Sequence, residues 1–291
     1  MFPLAPLCGE PSPRELLNIE GKLVKAVCPF YFAEQACAPG QISGPGDVAR
    51  PFSFWTVPPM DPSQQLHQPA FTVCSEPGWL VAAFDRPQRL LSWSINRPGF
   101  QQARRVAWTQ VRDSDLPVEV DAAEFLAARL LKKGLGDAIG LMTSGELNAE
   151  REAIVSGGVR AECLVTLGLS NAERVGQRFT ALALPQRTGT INMLCHVSTP
   201  LSDAALIEAI SLATQARTVA ILDFGYERVL GAGAVTGTGT DCVVIGCPVG
   251  SLPARFAGMH TLVGEILGAA VLQATRRAMR QWLDRQGAAA S

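Results

Sequence analysis

Between residues 188 and 246 the chain alternates in a way that few folds accommodate. A hydroxyl-rich turn, Gly189-Thr190 with Asn192, runs into a short apolar strand at 193–197. A helical run at 202–216 follows, then a strand at 218–222 and a turn-rich link. A second hydroxyl-rich turn, Gly237 to Asp241, then enters a second apolar strand at 242–245. Apolar strands separated by helices demand a sheet with at least one face covered. Each Gly/Thr turn meets the end of a strand, where glycine lets a ligand approach the backbone and Thr, Asn and Asp offer donors and acceptors. The two turns are therefore the place to look for a site, although ordinary turns use the same residues.

The remainder of the chain extends this pattern. Residues 1–68 are rich in Pro and Gly, with one helical candidate at 13–27, and read as an extension or adaptor. From Phe71 the pattern is β: runs at 71–74, 79–84, 90–95 and 105–111, separated by turn residues, fit an antiparallel meander. Trp93 and Trp108 lie in these runs and are expected to pack against neighbouring strands. Asp121 is a candidate N-cap for a helix closed by Lys132-Lys133-Gly134. Strands are expected at 138–142 and 159–168, and Ser170 with Glu173 has capping-box spacing. A long helix at 261–286 shows apolar residues at helical spacing, and the arginines in its second half complement its dipole. The expected fold is α/β or α+β: a layered single-sheet domain at 69–287 with an N-terminal antiparallel meander and a long C-terminal helix, followed by a tail at 288–291.

Composition excludes some classes of function. The chain has 291 residues, an apolar fraction of 47% and a formal net charge of −1. That is a globular protein without the clustered Lys and Arg that nucleic acid requires. Apolar runs are broken by Gly, Thr, Asp or Arg before the roughly 18 residues of a membrane helix, so no membrane insertion is expected. The first ten residues lack the basic n-region and continuous apolar core of a secretory signal. The eight cysteines are scattered, and none forms the close pairing of a zinc ribbon. They read as reduced thiols in a cytoplasmic protein.

Candidate chemistry centres on Asp241, where a Thr-Gly turn enters a strand, and on His260, just before the long helix. If they converge, Asp241 would orient the imidazole while His260 moves a proton, and Thr240, Thr238 or a water would attack. His260 alone reads equally as a capping or packing residue. Asn192 and Asn171 are candidate amide-recognising groups, with Thr190 and Gly239 beside them on the two turns. Thr143 and Ser144, on the turn after a strand, are reserve nucleophiles. Glu265, one helical turn beyond His260, would orient it or cap the helix.

A set of blocks in order carries a resemblance. These are Leu90-Leu-Ser-Trp-Ser94 with Pro98-Gly99, Gly140-Leu-Met-Thr-Ser144, Thr166-Leu-Gly-Leu-Ser-Asn171 and Gly189-Thr-Ile-Asn192. Pro200-Leu-Ser-Asp-Ala-Ala205, Thr236-Gly-Thr-Gly-Thr-Asp241 and Gly258-Met-His-Thr261 with Gly264-Glu265 complete the series. From about 71 to 286 the chain resembles the adenosylcobinamide amidohydrolase family of corrinoid salvage. The resemblance implies hydrolysis of the amide joining aminopropanol to the corrin ring's propionate side chain, giving adenosylcobyric acid. The implied partner is an adenosylated corrinoid that carries its own cobalt, with no further cofactor. Arg187-Thr188, Cys195-His196 and Met259 depart from the expected pattern. The competing readings are a non-catalytic corrinoid-binding carrier or sensor and an amidase for another substrate.

Overall fold

The computed structural model describes residues 66, 68–177 and 189–290. The expected helix at 13–27, nearly all of the extension around it, and Arg187-Thr188 lie outside them. The strands are β1 (Thr72–Glu76), β2 (Trp79–Ser92), β3 (Gly99–Gln110), β4 (Ile139–Thr143), β5 (Ala149–Ser156), β6 (Val159–Leu167), β7 (Ala172–Glu173), β8 (Ile191–Val197), β9 (Gly237–Thr238) and β10 (Cys242–Pro248). The helices are α1 (Ala122–Lys132), α2 (Asp203–Leu222) and α3 (Leu262–Ala290). The main sheet has the order β4-β3-β2-β10-β8-β6-β5, with β1 added to β2, and β7 pairs separately with β9. It is mixed. The meander β1-β2-β3 and the pairs β2/β10, β5/β6 and β6/β8 are antiparallel, whereas β3/β4 and β8/β10 are parallel. Parallel neighbours need a crossover, and α1 and α2 supply the two.

The layered α/β architecture is as expected from sequence, with differences that have local causes. The runs at 79–84 and 90–95 are not two strands: β2 continues through Asp85-Arg86-Pro87, with the register slipping between Ala83 and Gln88. Proline cannot join a ladder and is accommodated at such a bulge. The strand expected at 218–222 is the end of α2. Thr214 and Thr218 there return their hydroxyls to the carbonyls of Ile210 and Thr214, each at 2.9 Å, so β-branched residues sit in a helix. Ser170 and Glu173 head no helix; the chain turns there into β7. Helix α3 runs on to Ala290, through most of the expected tail.

Strand β5 had no apolar signature because its charges face a helix. Arg277 of α3 donates to Glu150 at 2.9 Å, to Glu152 at 2.5 Å and to the Arg151 carbonyl at 2.7 Å. Arg276 likewise pairs with Asp223. These arginines are lateral ties to neighbouring elements, not partners of the helix dipole.

Helix α2 also departs from expectation. Within its 20 residues an 18-residue stretch has a mean hydropathy of 1.4, long and apolar enough by composition to cross a membrane. Half of that stretch is buried within the protein, against β10 and α3, and its Arg217 is paired inside the fold. That is how a core helix passes the same test.

Two apolar layers result. Helices α2 and α3 cover one face of β6, β8 and β10, through Leu206, Ala213, Met193, Val243, Leu267 and Val271. On the opposite face Leu80, Trp108, Leu141, Leu164, Leu194 and Val244 pack on one another. Strands β4 and β8 are separated by three others, which in a flat sheet would place them about 19 Å apart. Yet Asn192 Nδ2 of β8 donates to the Met142 carbonyl of β4 at 2.8 Å. The sheet is rolled, and α1 packs outside the rolled limb through Leu126 and Leu130.

Candidate functional site

At the mouth of this roll, three segments converge on the Asp241 carboxylate. Oδ1 accepts from the Ile191 amide at 3.0 Å and from the Thr238 hydroxyl at 2.5 Å. Oδ2 accepts from the Thr238 amide at 3.0 Å and pairs with Arg217 Nη1 of α2 at 2.8 Å. The side chains of Arg217 and Asp241 are 9% and 7% exposed. The neighbouring backbone is tied as well: Trp93 Nε1 donates to the Asp241 carbonyl at 2.7 Å, and the Thr190 hydroxyl to the Thr240 carbonyl at 2.9 Å. A Cβ on Gly237 would lie 2.5 Å from Asp241 Oδ2, which accounts for a glycine there. With four donors on its oxygens, Asp241 is arranged to hold the turn.

Gly189 closes the first hydroxyl-rich turn by direct backbone contact. A Cβ there would stand 2.9 Å from both C and O of Gly168 and 3.0 Å from the Ser170 amide. Gly189→Ala is therefore expected to destabilise by about 1–3 kcal/mol, because backbone and not a flexible side chain must move. Urea denaturation checks this, and an unchanged midpoint would show that the Gly189 backbone is not in contact with Gly168 and Ser170.

Two contiguous cavities open beside these turns. One, of about 460 Å³, is lined by Trp93, Ile95, Leu126, Asn192, Thr240 and Cys242 among others. The other, of about 410 Å³, is lined by Thr143, Ser144, Asn171, Gly189, Thr190 and Thr240 among others. Leu116, Met142 and Thr240 belong to both. In the second lobe Ser144 Oγ and Asn171 Oδ1 are buried without a hydrogen-bond partner among the described residues. Native proteins rarely leave buried polar atoms unpaired except where something else is to bind. Burial pushes the Cys242 thiol up to about 12, so it is a neutral wall of the first lobe and not a nucleophile.

The sequence candidates divide accordingly. Thr240, Asn192, Gly239, Thr143, Ser144, Asn171 and Thr190 all line the cleft. Thr238 lies next to it, but its hydroxyl is committed to Asp241. Thr143 Oγ1 accepts from the Gly145 amide at 3.1 Å, and Asn192 is engaged with Met142.

His260 and Glu265 are not there. Leu262, at the start of α3, sits against Gly157 in the β5–β6 turn. Strand β6 begins beside that turn at Val159 and ends at Leu167, opposite Ile191. The nine residues of β6 put the end carrying His260 about 25 Å from the end carrying Asp241. Both His260 and Glu265 are exposed at the far end, so the Asp241–His260 pair does not form.

Trp93 was read as a packing residue, but its side chain is only half-buried. It is 45% exposed, with Ile95 beside it at 48%, on the rim of the first lobe. The available signal was its place just before the Asn96-Arg-Pro-Gly99 turn, which aromatic propensity for strands outweighed.

A model of the family described as adenosylcobinamide amidohydrolase matches residues 63–287, which include every residue lining the cleft. The chain belongs to the adenosylcobinamide amidohydrolase family. A relative of that description from Halobacterium salinarum (strain ATCC 700922 / JCM 11081 / NRC-1) is 30% identical over 128 residues, 43% of this chain and 50% of the relative. The match thus spans half of that relative's length. Solved structures with a distant likeness include the PH0078 protein of Pyrococcus horikoshii OT3, at 10% identity and a TM-score of 0.40, covering 70% of this chain and 76% of that one. A Burkholderia sp. beta-aminopeptidase follows, at 12% identity and a TM-score of 0.36, covering 71% and 78%. The L-aminopeptidase D-Ala-esterase/amidase of Ochrobactrum anthropi has 14% identity and a TM-score of 0.33, covering 72% and 82%. Likeness at these scores assigns no chemistry to members of the amidohydrolase family.

Proposed function

We propose that the chain hydrolyses the amide between aminopropanol and the corrin ring's propionate side chain in adenosylcobinamide or a related adenosylated cobamide. The products are adenosylcobyric acid, available for cobamide synthesis, and the free amino alcohol. The reading is cytoplasmic corrinoid salvage, with cobalt carried by the substrate and no metal or cofactor of the protein's own.

The observation that carries this, beside family membership, is the unpaired Ser144 hydroxyl and Asn171 carboxamide oxygen in one lobe. A donor and an acceptor on neighbouring walls complement the C=O and N–H of an amide. Ser144 donates to the scissile carbonyl oxygen and favours the oxyanion that develops on it. Thr240, shared by both lobes, supplies the hydroxyl that attacks or that orients a water. Water's oxygen ends on the carbonyl carbon as the C–N bond breaks, and one of its protons ends on the leaving amine. Asp241 is a positioning residue that holds the Thr238-Gly-Thr240 turn. A corrinoid is too large for a lobe of about 410 Å³, so only the amide arm enters while the ring rests against the Trp93 and Ile95 rim.

Incubation of the purified protein with adenosylcobinamide, read by mass spectrometry, should release adenosylcobyric acid and aminopropanol together. An intact corrinoid that co-elutes with the protein would replace this reading by the carrier or sensor. Ser144→Ala sharpens the test. Since the hydroxyl has no partner to lose, its removal is expected to leave stability unchanged or raise it by up to about 1 kcal/mol. At the same time kcat/KM should fall by about 10- to 100-fold. Loss of stability with full activity would place Ser144 in the framework instead.

A further inference from the structure

A third cavity, of about 660 Å³, continues the cleft and has a different character. It is lined by Gly78, Gln110, Val111, Arg112, Asp115, Arg129 and Ser144, and it shares Val111, Arg112 and Ser144 with the lobe containing Asn171. Ser144 thus stands in the neck between them.

Arg129, like Arg97, Arg104 and Arg174, is held by neutral acceptors without a carboxylate partner. Its Nε donates to Thr109 Oγ1 at 2.7 Å and its Nη2 to the Gln110 carbonyl at 3.0 Å. Its guanidinium lies 5.7 Å from the Trp79 ring centroid and 5.8 Å from that of Phe125. Two neutral acceptors and two aromatic faces therefore hold it in place. Arg89, Arg105, Arg151, Arg160, Arg217 and Arg277 each have a carboxylate within 4.0 Å. Among the described side chains Arg129 has none, and neither has Arg112 at the neck. Asp115 is the single acid on the wall, and its carboxylate accepts from the Arg112 amide at 2.9 Å. The lining carries a net charge of +1, from two guanidinium groups and one carboxylate. A half-buried guanidinium with a fixed orientation and no anion of its own, with a second guanidinium on the same wall, makes a receptor for an oxyanion, since its planar fork matches phosphate oxygens.

We propose that this lobe binds a phosphate ester carried by the amino-alcohol arm of the substrate. What bears the phosphate rests on the amidohydrolase reading; that the lobe takes an oxyanion does not. With the scissile amide in the lobe of Asn171 and the corrin at the Trp93 rim, the leaving amino alcohol points through the Ser144 neck towards Arg112 and Arg129. Its hydroxyl is where a phosphate would be esterified. The lobe therefore favours amides of phosphorylated amino alcohols over amides of the bare alcohol.

The test compares adenosylcobinamide with its phosphate ester as substrates of the full chain. The wild type is expected to show a KM about tenfold lower for the phosphorylated form, and Arg129→Gln and Arg112→Gln should each bring the ratio of the two KM values towards one. Arg112 makes no side-chain hydrogen bond or ion pair among the described residues, so its variant reports on binding even if Arg129→Gln disturbs the fold. Equal KM values in the wild type, or a preference that persists in both variants, overturns the proposal.

If neither corrinoid is hydrolysed, the amidohydrolase reading has failed by itself. Titration with 1-aminopropan-2-ol O-phosphate, followed by tryptophan fluorescence beside Arg129, then decides the lobe. Saturable binding lost in both variants upholds it, and no binding overturns it. Inorganic phosphate binding as tightly as the ester would assign the lobe to the free ion and overturn the substrate-borne assignment.

Discussion

Arg217→Met is expected to lower the free energy of unfolding by about 3–5 kcal/mol, because it leaves the Asp241 carboxylate charged and buried without its cation. The pair is almost fully enclosed, so solvent screens little of that cost. Activity should fall further than stability alone explains, since the same carboxylate fixes the turn that presents Thr240. A second substitution, Asp241→Asn, removes the stranded charge and should recover part of the loss in stability without restoring activity. Urea denaturation of the single and double variants measures the first effect, and turnover under folded conditions the second. A cost below about 1 kcal/mol for Arg217→Met would mean that the turn is held by its backbone alone.

The second large effect is one of pH. His196 lies within β8 on the inner face of the roll, 5.4 Å from the Phe84 ring centroid, with its Nε2 3.0 Å from Gln88 Oε1. Burial first, and the charge of Arg160 second, lower its pKa from 6.5 to about 3. The unfolded chain therefore takes up a proton that the native imidazole refuses. The stability this group contributes is complete above pH 6.5 and is lost as pH falls towards 3, at about 1.4 kcal/mol per unit. Between pH 7 and pH 4 the expected loss is roughly 3 kcal/mol. His196→Asn should flatten this dependence, and unfolding free energies of both proteins across that range test it. Parallel curves would mean that the imidazole is reached by solvent in the native state.

Much of the fold was legible because its elements follow local rules. Asp121 and Gly134 delimit α1 as their types require: the carboxylate accepts from two free amides, and the glycine has a φ of 76°. The apolar runs of β6, β8 and β10 could be little but buried strands. What misled was chemistry satisfied from a distance. Glu150 and Glu152 made β5 look like loop, since Arg277 lies far from them in sequence. Asp241 resembled the orienter of a catalytic histidine because nothing local announced Arg217 as its partner. His260 and Asp241 were joined on residue type alone, and only the direction of β6 separates them. Most cleft-lining Asn, Ser and Thr residues were found because they sit on turns at strand ends. Trp93, Arg112 and Arg129 were missed because their roles depend on which strand ends the roll brings together.

The position of β2 has a consequence for a nascent chain. β3, which follows it at once, runs along one side of β2, while the other side is shared by β1, at Trp79–Ala83, and β10, at Gln88–Ser92. While the ribosome is still producing the middle of the protein, residues 88–92 of β2 offer unpaired amides and carbonyls on that side to any strand that comes near. The meander must wait with that edge open until residues 242–248 emerge. Long-range closure of this kind is slow and prone to wrong partners. A chain interrupted before β10 is expected to aggregate through β2, and the finished cleft exists only after this late strand has entered the sheet between β2 and β8.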